Sequence, residues 1–179
     1  MTAIASLLDF WRAAGAAGHW FSHDPHFDRQ FREMFLDRHM AVAARLHDDW
    51  METAEGALAL LILTDQFPRN AFRGTGHMYA TDPLARSFAR AALAAGHMAQ
   101  VEEGLRVFFC LPFAHAEDLV DQELSVALNL QLGEPWLAHA IDHRDIVLRF
   151  GRFPHRNPLL GRETTAEEAR FLAEGGFAG

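Results

Sequence analysis

Two short segments carry the residue types best suited to chemistry: Asp65-Gln66-Phe67-Pro68-Arg69-Asn70 and Arg152-Phe153-Pro154-His155-Arg156-Asn157. In both, Phe-Pro stands just ahead of Arg-Asn, with one histidine inserted in the second. An aspartate at a helix C-terminus meets the negative end of the macrodipole, so Asp65 calls for a specific partner, and Arg69 is the nearest. Such a pair either locks the helix exit against a loop begun by Pro68 or holds a guanidinium fork, with Asn70 and Arg73 beside it, toward a ligand. The stretch from Phe150 to Arg162 holds three arginines and no acid, with Arg149 just before it. Local positive charge of this kind suits a carboxylate, a phosphate or a peptide terminus. Loop arginines also reach back to helix C-terminal carbonyls, and the sequence leaves both readings open.

Proton chemistry has its own candidates among eleven histidines. His115 lies three residues before Asp118, a spacing at which the carboxylate could orient the imidazole, while acids at a helix start also serve the dipole alone. His143 and His155 are further proton carriers by residue type. His139 and His143 stand four apart on one helix, a metal-compatible spacing, but no His-Glu-x-x-His and no third ligand accompanies them, so no metal is expected. His143 also aligns with Trp136, Ala140, Val147 and Phe150, the position of a hydrogen-bonded histidine beside a core. Asp145 and Arg149 are spaced for an i,i+4 pair leading into the arginine-rich exit.

Composition removes several function classes. All sixteen basic residues are arginine, which excludes Schiff-base lysine chemistry and a P-loop lysine. No nucleophile elbow and no Gly-rich phosphate loop occurs, and no cofactor is expected. A formal charge of -8 argues against a broad nucleic-acid or anionic-membrane surface. The single cysteine, Cys110, lies in the apolar run Val107-Phe108-Phe109-Cys110-Leu111 and reads as core. No apolar run nears the roughly 18 residues of a membrane span, and the first ten residues lack a basic leader, so a cytoplasmic protein is expected.

These residues need elements to position them. Strand alternation is scarce, and apolar spacings of three and four predict about seven or eight helices, no sheet and one domain over residues 1–179. The expected helices run from about Ala3 to Ala14, from Pro25 toward His47, from Ala54 to Phe67, from Asp82 to Ala95, from Val101 to Leu111, from Ala114 to Leu132, from Pro135 to Phe150, and after a Thr165/Glu168 capping box. The second should turn Phe27, Phe31, Met34 and Phe35 inward. The third is apolar almost all round, so it should be the centre of the core. Trp20-Phe21, in a glycine-flanked loop, is a candidate pocket wall.

The run Leu58-Ala59-Leu60-Leu61-Ile62-Leu63-Thr64-Asp65-Gln66-Phe67-Pro68-Arg69-Asn70, then Phe72-Arg73-Gly74, resembles an uncharacterised bacterial family, domain-of-unknown-function family 924. Asp9-Phe10-Trp11 with Trp20-Phe21, Leu111 to Asp118, and His143 to Asn157 extend the resemblance over nearly the whole chain. It implies an all-helical fold similar to tetratricopeptide-repeat proteins, an array or bundle of antiparallel helices, and it carries no activity or catalytic residue with it. Arg12 and Ala116 depart from the pattern, where another aromatic and a serine are common.

The leading expectation is a helical binding domain. It presents Arg69, Arg73, Arg149, Arg152 and Arg156, oriented by Asp65, His143 and His155, to an anionic small molecule or peptide, with the two Phe-Pro segments converging on one pocket. The alternatives are an enzyme using His115, His143 or His155 for acid-base work on a bound anion, and a scaffold whose Arg-Asp pairs only fix the fold.

Overall fold

A computed structural model describes residues 2–178, and these residues are helical with no strand. Thr2 caps α1 (Ala3–Ala16), which buries Leu7, Leu8, Trp11 and Ala14 on one face. Asp24 caps α2 (Pro25–Ala43) by accepting the N–H groups of His26 and Phe27, with Pro25 at the first helical position. Phe27, Phe31, Phe35 and His39 form its buried stripe at four-residue spacing. Met34 lies off that stripe and is 51% exposed, so it does not point inward as expected. The helix also stops short of His47, at Ala43, and the chain turns at Arg45, whose φ is 63°.

Thr53 caps α3 (Ala54–Leu61), and every residue from Gly56 to Pro68 is buried, as the all-round apolar pattern predicts. The helix does not end at Phe67. A π-helical turn (Ile62–Gln66) follows and runs on into α4 (Phe67–Ala71), so Pro68 sits within a continuing helix rather than opening a loop. Counting this run as one helix gives eight among the described residues. The others are α5 (Asp82–Ala94), α6 (Val107–Ala114), α7 (Leu119–Leu132), α8 (Trp136–Phe150) and α9 (Ala166–Ala173). The helix expected from Val101 to Leu111 starts later, at Val107, and runs on to Ala114 with Pro112 inside it. No helix among the described residues is long and apolar enough to cross a membrane.

The chain packs as two compact units, one of Met1–Arg73 with His77–Pro112 and one of Gly74–Gly76 with Phe113–Gly179. In the first, α3 lies against α1 and α5, while α2 packs on the π turn and α4. Trp20 closes the end of α1: its ring lies where a side chain on Gly15 would be, and its Nε1 donates to the Trp11 carbonyl at 2.7 Å. Trp20 also meets Phe108 edge-on at 4.9 Å, so it is packing rather than a pocket wall. Cys110 is fully buried, and burial pushes its thiol up to about 12, the inert state of a core cysteine. In the second unit α7 packs on α8, and Ile146, Val147 and Phe153 form a core with Phe150 and Phe171 against it.

Candidate functional site

The first Phe-Pro segment belongs to the first unit. Arg69 Nη1 donates to the Asp65 carbonyl at 2.7 Å and stands 3.2 Å from its carboxylate, so the predicted Asp65-Arg69 pair forms. The guanidinium also forks onto Asp82, at 2.9 and 3.1 Å, and lies over the Tyr79 ring. Gln66 donates to Asp65 Oδ2 at 2.7 Å. Beside this cluster Asp28 accepts from Asn70 at 2.8 Å and, as a fork, from Arg73 at 2.7 and 3.1 Å. Asp28 and Asp82 were not among the predicted residues. At sequence level Asp82 reads only as a helix-start acid, and nothing in the spacing joins either residue to an arginine.

The π turn explains why this segment is so heavily tied. Pro68 has no N–H to give, and the turn leaves backbone carbonyls in need of donors. Three in succession are met by side chains: Leu63 by His39 Nδ1 at 2.8 Å, Thr64 by Thr81 Oγ1 at 2.6 Å, and Asp65 by Arg69. The Leu63 acceptor fixes the proton of neutral His39 on Nδ1, leaving Nε2 buried without a hydrogen-bond partner. Burial pulls the His39 pKa below the usual imidazole value.

The second segment belongs to the second unit, and its arginines are also engaged. Arg149 pairs with Glu167 at 2.9 Å rather than with Asp145, whose carboxylate takes Arg144 instead. Asp145 and Arg149 line, with Ile146, Phe150, Phe171 and Phe177, an open groove of about 310 Å³. Arg152 forks onto the buried Glu168 at 2.6 and 2.9 Å and donates to the Glu163 carbonyl. Glu168 also accepts from Asn157 and from Thr165 N–H in the capping box foreseen from sequence. The Arg152 hydrogen bond, ahead of the Thr165 N–H, holds the Glu168 carboxyl at about 2. Glu117 is a second hub. It accepts from Arg162 at 2.6 and 2.9 Å and from the Phe153 N–H at 2.8 Å. Burial opposes its ionisation, but Arg162, the Phe153 N–H and the charge of Arg156 outweigh that and hold it below the usual carboxylate range.

The three proton-carrier candidates, His115, His143 and His155, come together in this unit. The ring centroids of His115 and His143 are 6.5 Å apart, and Phe153 lies 5.5 Å from His143 and 5.7 Å from His155. Arg156 is buried, covers the Phe153 ring at 4.6 Å and donates to the His115 carbonyl at 3.0 Å. Burial, then the neighbouring His115, lowers His143 to about 4. Burial, then Arg156, lowers His155 to about 3. Both imidazoles are therefore neutral at pH 7, and the buried Nδ1 of His155 has no hydrogen-bond partner. Asp118 does not orient His115: its carboxylate caps α7, accepting from Asp121 N–H at 3.0 Å. His143 Nδ1 bonds the His139 carbonyl at 2.8 Å, the core-side histidine its spacing suggests. Among the described residues no group of three or more His, Cys, Asp or Glu side chains is placed to hold a metal ion.

Phe177, which carries no sequence signal, completes the cluster. Its ring is 4.5 Å from His143 and 5.1 Å from His155.

Helices without a sheet, tied by arginine-carboxylate forks and enclosing a histidine cluster, define a helical protein whose architecture alone assigns no reaction. The chain belongs to a family described as bacterial protein of unknown function (DUF924), whose model matches residues 7–176. It is similar to the solved structure of a protein of unknown function from Agrobacterium tumefaciens, with 57% sequence identity and a TM-score of 0.94 over 96% of this chain and 97% of that one. No curated protein matches the chain.

Proposed function

We propose that the second unit binds a small anion, a carboxylate or phosphate borne by a metabolite or a peptide end, at the cluster of His115, His143 and His155 beside Arg156. The placement of a buried guanidinium beside the imidazoles carries this reading. Arg156 is buried, its guanidinium covers the Phe153 ring, and its Nη2 donates to the His115 carbonyl, which sets a cation beside the imidazoles. Burial lowers the pKa values of His143 and His155, so both offer hydrogen bonds as neutral rings. A bound anion would draw the histidine pKa values upward.

The arginines of the first segment support a structural role instead. Arg69 and Arg73 are both forked onto internal carboxylates, which is what a lock requires and what a ligand-facing pair lacks. Binding is also a better reading than acid-base catalysis for His143 and His155. A proton carrier works best with a pKa near the working pH, and theirs are about 4 and about 3.

Titration of the full chain with inorganic phosphate and with acetate, followed by the histidine ring resonances, tests the reading. Saturable shifts confined to His115, His143 and His155 are expected, lost in Arg156→Gln and kept in Arg156→Lys. Unmoved resonances at millimolar anion would overturn it.

A further inference from the structure

Residues three and four apart share a helix face, and on α8 one such face carries Asp142, then Asp145 and Ile146, then Arg149 and Phe150. This face forms one wall of the open groove of about 310 Å³, to which α9 adds Phe171 and the segment after it adds Phe177. Gly175, at a φ of 88°, turns the chain back after α9, and Gly176 lies so close to the Phe171 ring that an added Cβ would stand 2.5 Å from it. Phe177 follows directly; its ring rests 4.5 Å from His143 and stays 39% exposed. None of the three clustered histidines lines the groove, and neither does Arg156.

The two ends of the groove differ. Asp142 and Arg149 stand seven residues apart, two helical turns and about 10 Å along the axis. At the Arg149 end the guanidinium pairs with Glu167 at 2.9 Å and lies over the rings of Phe150 at 4.7 Å and Phe171 at 5.8 Å. These rings therefore already take one cation on their negative faces. At the other end charge is left over. Arg144 donates twice to Oδ1 of Asp145, at 2.9 and 2.7 Å, while the Asp142 carboxylate has no hydrogen-bond or ion-pair partner among the described residues. With Arg144 set against Asp145 and Glu167 against Arg149, the groove keeps one negative charge in excess, at Asp142.

We infer that this groove binds a small organic ammonium ion, its charged head between the two aspartates and the exposed Phe177 ring, its apolar body on Ile146, Phe150 and Phe171. The parts match in kind. Carboxylates and an aromatic face both attract a cation, and a body of one ring or a short chain suits a groove at the low end of small-molecule sites, about 300–1,000 Å³. An anion would meet Asp142 at one end and a guanidinium already paired at the other. The inference is independent of the anion reading, because that site and this groove share no charged residue.

The test uses the full chain with methyl-labelled isoleucine and three probes of like apolar body: 2-phenylethylammonium, 2-phenylethanol and 3-phenylpropionate. Ile146 lines the groove, while Ile4 and Ile62 belong to the other unit and serve as internal references. Saturable shifts of the Ile146 methyl are expected with the ammonium, with the alcohol binding about three- to tenfold more weakly and the carboxylate more weakly still. Asp142→Asn, at an exposed position, should weaken the ammonium about two- to fivefold and leave the alcohol within about twofold. Arg149→Gln should instead tighten the ammonium, because the resident cation leaves the rings and Glu167 loses its partner. Equal affinities for ammonium and alcohol would reduce the groove to an apolar surface and overturn the inference. Carboxylate binding that Arg149→Gln abolishes would make it an anion groove, with the same result. An Ile146 methyl that does not move at millimolar ammonium would also sink it, and each of these failures leaves the anion reading, which is followed at the histidine rings, untouched.

Discussion

The hydroxyl of Thr81 donates to the carbonyl of Thr64 at 2.6 Å, the carbonyl four residues before Pro68 and so the one an α-helical proline leaves without its amide. Both groups are buried. Thr81→Val keeps the shape and deletes the donor, which should cost about 1–3 kcal/mol, the penalty of a buried polar group left unmade. Thr81→Ser should recover most of it. Urea unfolding of the two variants measures the difference, and equal stabilities would show that the π turn does not depend on this donor.

Arg69 neutralises two carboxylates that are both nearly inaccessible, Asp65 and Asp82. Arg69→Met preserves the apolar stem and strands both charges, so a loss of about 3–5 kcal/mol is expected from uncompensated buried ions. The triple variant Arg69→Met with Asp65→Asn and Asp82→Asn should regain a large part of that loss. A triple variant no more stable than Arg69→Met would place the damage in packing instead of charge.

How much of this was legible depended on the distance between partners. Helix starts were readable because caps are local: Asp24 with Pro25, and Thr165 with Glu168, act within one turn. The start of α7 was placed too early, at Ala114. There Gln122 Nε2 takes the carbonyls of Ala114 and Ala116 while Asp118 supplies the cap, which holds the intervening residues out of the helix. Pro68 was read as a stop because the donors that let the helix continue, His39 and Thr81, are 24 and 17 residues from the carbonyls they serve. The arginines were found by type, but their true partners lie far along the chain. Asp28 is 45 residues from Arg73, and Glu117 is 45 from Arg162. Phe177 left no signal, since one aromatic beyond a short helix looks the same whether it caps a cluster or trails in solvent.

Glu168 ties Arg152, Asn157 and the N-cap of α9 to one carboxylate. Its pKa in the folded chain is about 2 against an ordinary 4.5, so its contribution is complete above pH 4.5 and is lost as pH falls toward 2. Glu168→Gln should destabilise the chain by about 3 kcal/mol at pH 7, the lower end for a broken buried pair because Arg152 keeps some solvent. The deficit should shrink below pH 4.5. A deficit that stays constant from pH 7 to pH 2.5 would mean that the carboxylate charge is not what Arg152 needs.

His143 and His155 set a separate window, at higher pH and with the same direction of proton linkage. Both are lowered, from 6.5 to about 4 and about 3, because burial penalises the charged ring. Between pH 6.5 and these values the unfolded chain binds protons that the folded chain refuses, so stability is highest above pH 6.5 and falls as the pH drops through the window. Glutamine at either position carries no titratable proton, so His143→Gln and His155→Gln should each flatten the fall between pH 6.5 and 4 whatever they cost at pH 7. The Glu168 variant should leave that part of the curve largely alone and act below it. Urea unfolding followed by circular dichroism at half-unit pH steps separates the two. Wild-type slopes in both histidine variants would mean that these imidazoles are hydrated enough to titrate normally, and the enclosed cluster on which the anion site depends would go with them.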